Sequence, residues 1–470
     1  MTVRLHDTLT GETRPLVPVK ADAVRIYTCG PTVYGPAHIG NFRSFLFVDV
    51  LVRHLRWQGF TVRWVMNITD IDDKIIRGAA AAGVGIDVLA ERYIARFLED
   101  ADALRMTRPD ALPRATAHLD QIVSLIGTLL DRGHAYRTDD GSVFFRIASW
   151  PGYGRLARLD PEQLRVGERV EADEYGKDDV RDFVLWKGPK PGEPSWDTAV
   201  GPGRPGWHIE CSAMSMAELG PSFDIHTGGV DLIFPHHEDE LAQSEAATGQ
   251  PFVGTWLHCA HLRSDGSKMA KSTGNMAGVG ELLEAGVSAR SLRYAVIAVH
   301  YRAGINHSDA SLAAAAAALD RLDALVAALD AYREERTDDP ALPVVLEDAR
   351  AAFGAALDDD LNVSAGLAAV FDLVRDLNRR IEARSLSSAD AGRALEALRD
   401  LDRVLAILPD PPGELGTEEL ALLERRAAAR AGRDWAASDR LRDELAARGL
   451  TVEDTRDGQR WRRAAEVAGG

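Results

Sequence analysis

Cysteine is scarce: Cys29, Cys211 and Cys259 are the only three in 470 residues. So few thiols cannot build a disulfide scaffold, and they point to a chain kept in the reducing cytoplasm. Long apolar runs are missing too. No stretch of about 18 uninterrupted apolar residues occurs, which argues against a membrane-spanning helix and a membrane partner. The opening M-T-V-R-L-H-D-T-L-T has no apolar core of signal-peptide length, so no secretory leader is expected. Positive charge is in deficit, with 55 Lys and Arg against 72 Asp and Glu and a net charge of −17. Any RNA bound by this chain must therefore meet a local basic face. No internal repeat is visible. What remains is 46% apolar and 27% charged, an ordinary soluble composition, with a length that suits roughly three or four domains.

The alternation of short signals predicts an α/β beginning. A strand-like run, Val24–Thr28, leads into C-G-P-T-V-Y-G-P-A-H-I-G-N (29–41), and an apolar helix follows from about Phe42 to Trp57 with Gly59 as its C-cap. Phe60 to Met66 alternates with period two, which reads as a second strand. Thr69 and Asp70, in N-I-T-D-I-D-D-K-I-I, then fall on the same sheet edge as Cys29. From about 118 to 206 the character changes. A helical piece (His118–Asp131) is followed by short alternating runs and a return in which ten of nineteen residues, Gly188–Gly206, are Gly or Pro. That pattern predicts an inserted subdomain. Residues 207–262 return to α/β, with a helix start at Pro235. A polar loop (264–275) lies within a connecting region, 263–307. Ser308 is a candidate N-cap for a helical bundle, 308–408, broken at Thr337–Pro343. Pro409–Gly413 opens a linker (409–416), and a small Arg-rich module fills 417–470.

Several residues carry possible chemistry. His236 and Glu240, four apart, share one helix face, and Cys29 and Cys211 could complete a zinc set of two thiolates, one imidazole and one carboxylate. On spacing alone, H-H-E-D-E also suits a solvated helix face, and lone cysteines suit a core. His38 at a helix start can meet phosphate oxygens or can be an ordinary hydrogen-bonded histidine. Lys268 and Lys271 could neutralise a leaving pyrophosphate or sit on a solvated loop.

Taken together and in order, C-G-P-T-V-Y-G-P-A-H-I-G-N, N-I-T-D-I-D-D-K-I-I, G-W-H-I-E-C-S-A-M, H-T-G-G-V-D-L-I-F-P-H-H-E-D-E and K-M-A-K-S-T-G-N resemble the cysteinyl-tRNA synthetases. These are class I aminoacyl-tRNA synthetases, and the resemblance spans essentially the whole chain. It implies a Rossmann-like catalytic domain with a parallel sheet (1–117 and 207–262), an inserted connective subdomain, a tRNA-binding helical bundle and a small α/β anticodon-binding module. It implies one zinc ion per chain on Cys29, Cys211, His236 and Glu240. ATP, accompanied by Mg2+, would meet His38, Gly40, Asn41 and Lys271, with His38, Asn41, Lys268 and Lys271 in catalytic roles. Thr69, Trp207, His226 and Asp231 would line the pocket for L-cysteine. A second histidine is common where this chain has Asn41, and Ala270 replaces a frequent serine. The family also implies a monomer in the cytoplasm whose partner is tRNA(Cys).

Zinc has a physical reason to be present. Cysteine and serine are near-isosteres that an apolar pocket separates by only roughly 10²-fold. A soft metal favours the deprotonated thiol over a hydroxyl of much higher pKa, so no editing domain is needed. In the tail, Ala421–Gly470 holds eleven Arg against nine Asp and Glu. Trp435 and Trp461 there suit base stacking, or packing in a core. Two other functions remain open on the sequence: a ligase that passes cysteine to a small amine, as in mycothiol synthesis, and a non-catalytic regulator that binds cysteine or RNA.

Overall fold

A computed structural model describes residues 2–159, 181–264, 267–268, 278–410, 417–455 and 458–463. The chain divides into two compact units, Met1–Ile407 and Leu408–Gly470.

The first unit begins with an antiparallel hairpin of β1 (Arg4–Asp7) and β2 (Glu12–Pro15). Strand β3 (Ala23–Thr28), helix α1 (Ile39–Trp57) and strand β4 (Thr61–Met66) make a parallel βαβ unit. The predicted helix thus starts three residues earlier than its apolar run, because His38 and Asn41 cap it. The Asn41 backbone N–H donates to His38 Nδ1, and the Asn41 side chain accepts from the His38 backbone N–H. This reciprocal cap satisfies two backbone donors that a helix start otherwise leaves unpaired. Helix α2 (Asp73–Ala82), capped by Asp72 and ended by Gly83 in the left-handed region, leads to α3 (Ile86–Ala103).

The insertion is a small domain of its own. Helix α4 (Leu119–Asp131) packs on an antiparallel sheet in the order β5 (Ala135–Arg137), β6 (Val143–Phe145), β7 (Phe183–Lys187) and β8 (Arg204–Pro205). The Gly- and Pro-rich return is ordered where described: Trp196 and Gly203 exchange backbone hydrogen bonds. Asp73 ties this domain to α2 through Lys187 (2.7 Å) and Arg204.

The chain then re-enters the α/β layer with α5 (Trp207–Leu219), β9 (Phe223–Gly229), α6 (Glu238–Thr248) and β10 (Val253–Cys259). The central sheet is fully parallel, in the order β4-β3-β9-β10. Strands separated by more than 150 residues thus pair as neighbours, and the carboxyl ends of β3 and β9 meet in the middle of the sheet. Such an edge is where open parallel sheets present ligands. Val24, Ile26, Trp64, Phe223, Ile225 and Trp256 are wholly buried in the core around it.

The helix predicted to start at Pro235 needs a correction. A separate turn, Ile233–His237, precedes α6, and Phe234 inside it is extended (φ −140°, ψ 132°). Regular α-helix begins at Glu238, three residues later than the proline suggested.

Beyond the sheet lie β11 (Leu262–Ser264), β12 (Ser267–Lys268), α7 (Val279–Glu284), α8 (Ala289–Ile297) and β13 (Ile305–His307), with β11 paired to both other strands. Four helices follow: α9 (Asp309–Asp330), α10 (Leu342–Asp358), α11 (Val363–Glu382) and α12 (Ser388–Leu405). Ser308 caps α9 as its sequence predicts. The second unit contains α13 (Thr417–Ala431), α14 (Trp435–Ala447) and an antiparallel pair, β14 (Leu450–Thr455) and β15 (Gly458–Arg463), around a small leucine-rich core. Among the described residues, no helix is long and apolar enough to cross a membrane.

Candidate active site

Cys29 is the first residue beyond β3, and its backbone N–H donates to Thr227 in β9. The turn behind it is locked to the chain beyond β4. Gly30 N–H donates to Asn67 Oδ1 (2.9 Å), and Asn67 Nδ2 donates to Thr69 Oγ1 (3.2 Å). Gly30 has no room for a side chain, since an added Cβ would lie 1.8 Å from the Asn67 carbonyl oxygen. Thr69 is therefore buried beside the cysteine turn, on the predicted sheet edge.

Helix α5 brings Cys211 to Cys29, with the two sulfurs 3.7 Å apart, and the start of α6 brings Glu240. The Cys29 sulfur lies 3.5 Å from Glu240 Oε1, which is 3.0 Å from His236 Nε2. All four side chains are buried, and their ligand atoms lie within 4.8 Å of one another. The four predicted metal ligands thus converge although they come from three separate segments. A second set, Cys29, His226, His237 and Glu240, converges within the same distance. It shares two members with the first, so a single ion could use one set or the other.

The electrostatics fit a divalent metal. Cys211 is drawn down to about 6, first through its contact with Cys29, against the opposing effect of burial. Burial pushes Cys29 well up, and the neighbouring Cys211 adds to this. Burial alone would lower His236, but Glu240 and Cys211 outweigh it and lift the imidazole to about 10. Burial alone would raise Glu240, yet His226 and His236 hold it at about 2. Without a metal at neutral pH, the four ligands therefore carry two thiolate or carboxylate charges and one imidazolium. A dication that displaced the protons of Cys29 and His236 would leave the net charge unchanged.

Histidines not singled out by sequence surround the ligands. His237 Nε2 is 3.3 Å from the Cys29 sulfur, its Nδ1 is 2.8 Å from His258 Nε2, and His258 Nδ1 is 2.7 Å from Thr8 Oγ1. Burial lowers His258 to about 3 and depresses His237 as well, so both are neutral. On the other side, His208 Nδ1 is 3.0 Å from His236 Nδ1, and Asp239, 3.4 Å from His208, accepts from the Tyr153 hydroxyl at 2.5 Å. With a metal on the first set, such outer partners would orient its side chains. Five of thirteen histidines gather here. The signal available in the sequence was that density, concentrated in W-H-I-E-C, P-H-H-E and L-H-C.

Of the predicted pocket residues, Trp207 lies half exposed, its ring stacked on His236 with centroids 4.1 Å apart. His226 is fully buried, with Nε2 2.9 Å from Glu240 Oε2 and its ring stacked on Trp256. Asp231 is exposed, 3.8 Å from His261 Nδ1. Cys259 stands outside the ligand sets, and burial raises its thiol to about 12. His38, Gly40 and Asn41 are half-buried at the start of α1. Because His38 Nδ1 accepts the cap hydrogen bond, the ring proton belongs on Nε2. Gly40 leaves space for that ring, since a Cβ there would lie 2.9 Å from Nδ1. His38 also bridges to Gly278, the first described residue after the lysine-containing loop. Lys271 lies outside the described residues, and for Lys268 only the backbone, in β12, is described.

Three family descriptions match the chain. "tRNA synthetases class I (C) catalytic domain" covers 15–317, "DALR domain" covers 352–409, and "Cysteinyl-tRNA ligase anticodon binding domain" covers 413–462. A cysteine–tRNA ligase of Solibacter usitatus is 45% identical over 475 residues, spanning 98% of this chain and 100% of that one. One from Chlamydia muridarum is 43% identical over 98% and 99% of the two chains. Among solved structures, the Mycobacterium tuberculosis methionyl-tRNA synthetase in complex with methionyl-adenylate has a TM-score of 0.58 at 18% identity, over 82% of this chain and 90% of that one. The Agrobacterium radiobacter LeuRS–tRNA–LeuAMS complex has a TM-score of 0.59 at 12% identity, over 84% and 87%. At these identities the two structures speak for the fold. With parallel sheet, insertion and helical regions in the expected order, the chain belongs to the cysteine–tRNA ligase family of class I tRNA synthetases.

Proposed function

We infer that this chain activates L-cysteine with ATP and joins it to tRNA(Cys). The observation that carries the reading is the convergence of Cys29, Cys211, His236 and Glu240 on the same turn that delivers His38. One cysteine carboxylate oxygen attacks the α-phosphorus of ATP, and the bond to pyrophosphate breaks, leaving cysteinyl-AMP. A hydroxyl of the terminal tRNA ribose then attacks the carbonyl carbon, and AMP leaves. His38, Gly40 and Asn41 meet the phosphates at the helix start. Lys268 and Lys271 balance charge on the departing pyrophosphate, with Mg2+ accompanying ATP. Positioning and fixed charge do most of the work in such a reaction.

Cys29, Cys211, His236 and Glu240 would hold one zinc ion. Once bound, it supplies a soft ligand site for the substrate thiolate, which serine cannot match. This set is favoured over the one with His226 and His237 because its buried imidazole stacks on Trp207, which reaches solvent, whereas His226 and His237 pack against the fully buried Trp256. Thr69, Trp207, His226 and Asp231 define the pocket around the amino acid. In the C-terminal unit, Trp435 is exposed with Arg430 over its ring (5.4 Å), a surface suited to an unpaired base. Trp461, the other expected stacking residue, is partly buried against the leucine core. The enzyme acts as a cytoplasmic monomer.

The test is ATP–pyrophosphate exchange with cysteine and with serine, before and after zinc removal. Cysteine-dependent exchange that needs zinc, with serine inactive, is expected. Exchange without zinc, or equal rates for serine, would reject the assignment of the metal. A purified protein that formed cysteinyl-AMP but acylated a glucosaminyl inositol instead of tRNA would overturn the choice of acceptor. The anticodon-binding type of module at the C-terminus favours tRNA.

A further inference from the structure

Arg43 is an unusual buried cation. It lies two residues beyond Asn41 in α1, is 2% exposed, and pairs with no carboxylate among the described residues. Its guanidinium donates instead to five backbone carbonyls: Ala260 (3.0 Å), Val296 (3.1 Å), His300 (3.2 Å), Tyr301 (3.4 Å) and Ala303 (2.6 Å). Burying a charge without a counter-ion is costly, and a cage of neutral acceptors offsets that cost only where each is held in place. Lysine could not reproduce the arrangement, because it lacks the planar five-donor fork.

The position of those carbonyls matters. Ala260 follows β10, where the chain leaves the central sheet, and His300–Ala303 precede β13, where it returns to pair with β11. Between them runs the segment that carries Lys268 and Lys271. Arg43 thus grips both ends of that segment from the helix whose first turn carries His38 and Asn41. The far side of the grip is held by the bundle. The Tyr301 ring stacks on Phe47 of α1 (5.0 Å, 9°), and its hydroxyl donates to Asp360 Oδ1 at 2.6 Å. Arg302 Nε donates to Asp360 Oδ2 at 2.7 Å, and the His6 backbone N–H also reaches Asp360 (2.9 Å). Asp360 and Leu361 have φ of 56° and 52°, so the turn between α10 and α11 holds two successive left-handed residues to present this carboxylate. Strain of that kind persists only where its surroundings impose it.

We propose that Arg43 is a positioning residue for adenylate formation, setting the ends of the lysine-bearing segment against His38 and Asn41, with Asp360 bracing the assembly from the bundle. The role rests on the ligase reading above. It is tested by cysteine-dependent ATP–pyrophosphate exchange in the full-length wild type, Arg43→Lys and Asp360→Asn, with zinc content and melting temperature measured alongside. For a misplaced catalytic geometry, kcat of Arg43→Lys should fall about 10²-fold. KM for cysteine and zinc content should stay within about twofold of wild type, because the cysteine and metal pocket is untouched. Asp360→Asn should lower the same parameter by less. A folded Arg43→Lys variant with wild-type kcat and only a lowered melting temperature would overturn the role. If Arg43→Lys does not fold, Asp360→Asn decides, and an unchanged kcat there overturns the role equally. A wild type without exchange would defeat the ligase reading itself, whereas an active wild type with active variants defeats only the role of Arg43.

Discussion

At the scale of single residues, the pocket is a problem of proton placement. Cys211 is the ligand most ready to be a thiolate, while Cys29 and His236 keep protons at neutral pH. Zinc bound on this set would have to expel those protons, so calorimetric titration of the metal-free protein at pH 7 in buffers of different ionisation heat should show release of more than one proton per zinc. Release of none would mean that the ligands are already deprotonated. Affinity should rise with pH, since raising pH removes the same protons beforehand. Cys211→Ser replaces a soft, low-pKa ligand by a hydroxyl. It should lower bound zinc and cut cysteine activation at least about tenfold, as loss of a ligand or its orienting partner does. Full zinc content with normal exchange kinetics would remove Cys211 from the site.

At the scale of elements, the insertion is fastened to α2 by Asp73. Burial alone would raise this carboxyl, but the hydrogen bond from Lys187 and the charge of Arg204 hold it at about 2. An acid whose pKa is lowered on folding stabilises the folded state above its ordinary pKa, and that contribution disappears as pH falls toward the lowered value. Asp73→Asn should therefore be less stable than wild type at pH 7. The gap in urea midpoint should shrink as pH is lowered through 4 and close near 2. A gap that is constant with pH would show that packing, not charge, is responsible. The same scale explains the start of α1. The apolar run alone placed the helix at Phe42, but side-chain capping by His38 and Asn41 extends it to Ile39. Asn41, the position that departs from the common class pattern, is thus occupied with shaping the helix start.

At the scale of the whole molecule, the stretch matching the catalytic-domain description (15–317) and the one matching the anticodon-binding description (413–462) fall in different units, so damage to the two should separate under mutation. Trp435→Ala, on the exposed face of the C-terminal unit, should raise the KM for tRNA(Cys) about tenfold, the loss expected for one stacked base, and leave cysteine-dependent pyrophosphate exchange unchanged. Equal damage to both reactions would show that Trp435 supports folding instead. Trp435 and Trp461 looked equivalent in sequence, and only burial separates them.

Much of this protein can be read from its sequence because the decisive features are local. Gly and Pro shape the turn after Cys29, a strand-like run and a period-two run mark β3 and β4, Ser308 caps α9, and His236 and Glu240, close in sequence, stand side by side although only Glu240 lies on the regular helix. What the tertiary structure alone decided depends on distance along the chain. Cys29 meets Cys211 only because β3 pairs with β9 across the insertion, a pairing that no local pattern encodes. His208, His237 and His258 come up against the predicted ligand residues only once α5, the turn before α6 and β10 pack together. Arg43, ordinary in its helix, becomes a clamp because five carbonyls from three segments converge on it. Side-chain periodicity encodes which face of an element is buried, but not which distant face it will be buried against, and that second choice assembled the site.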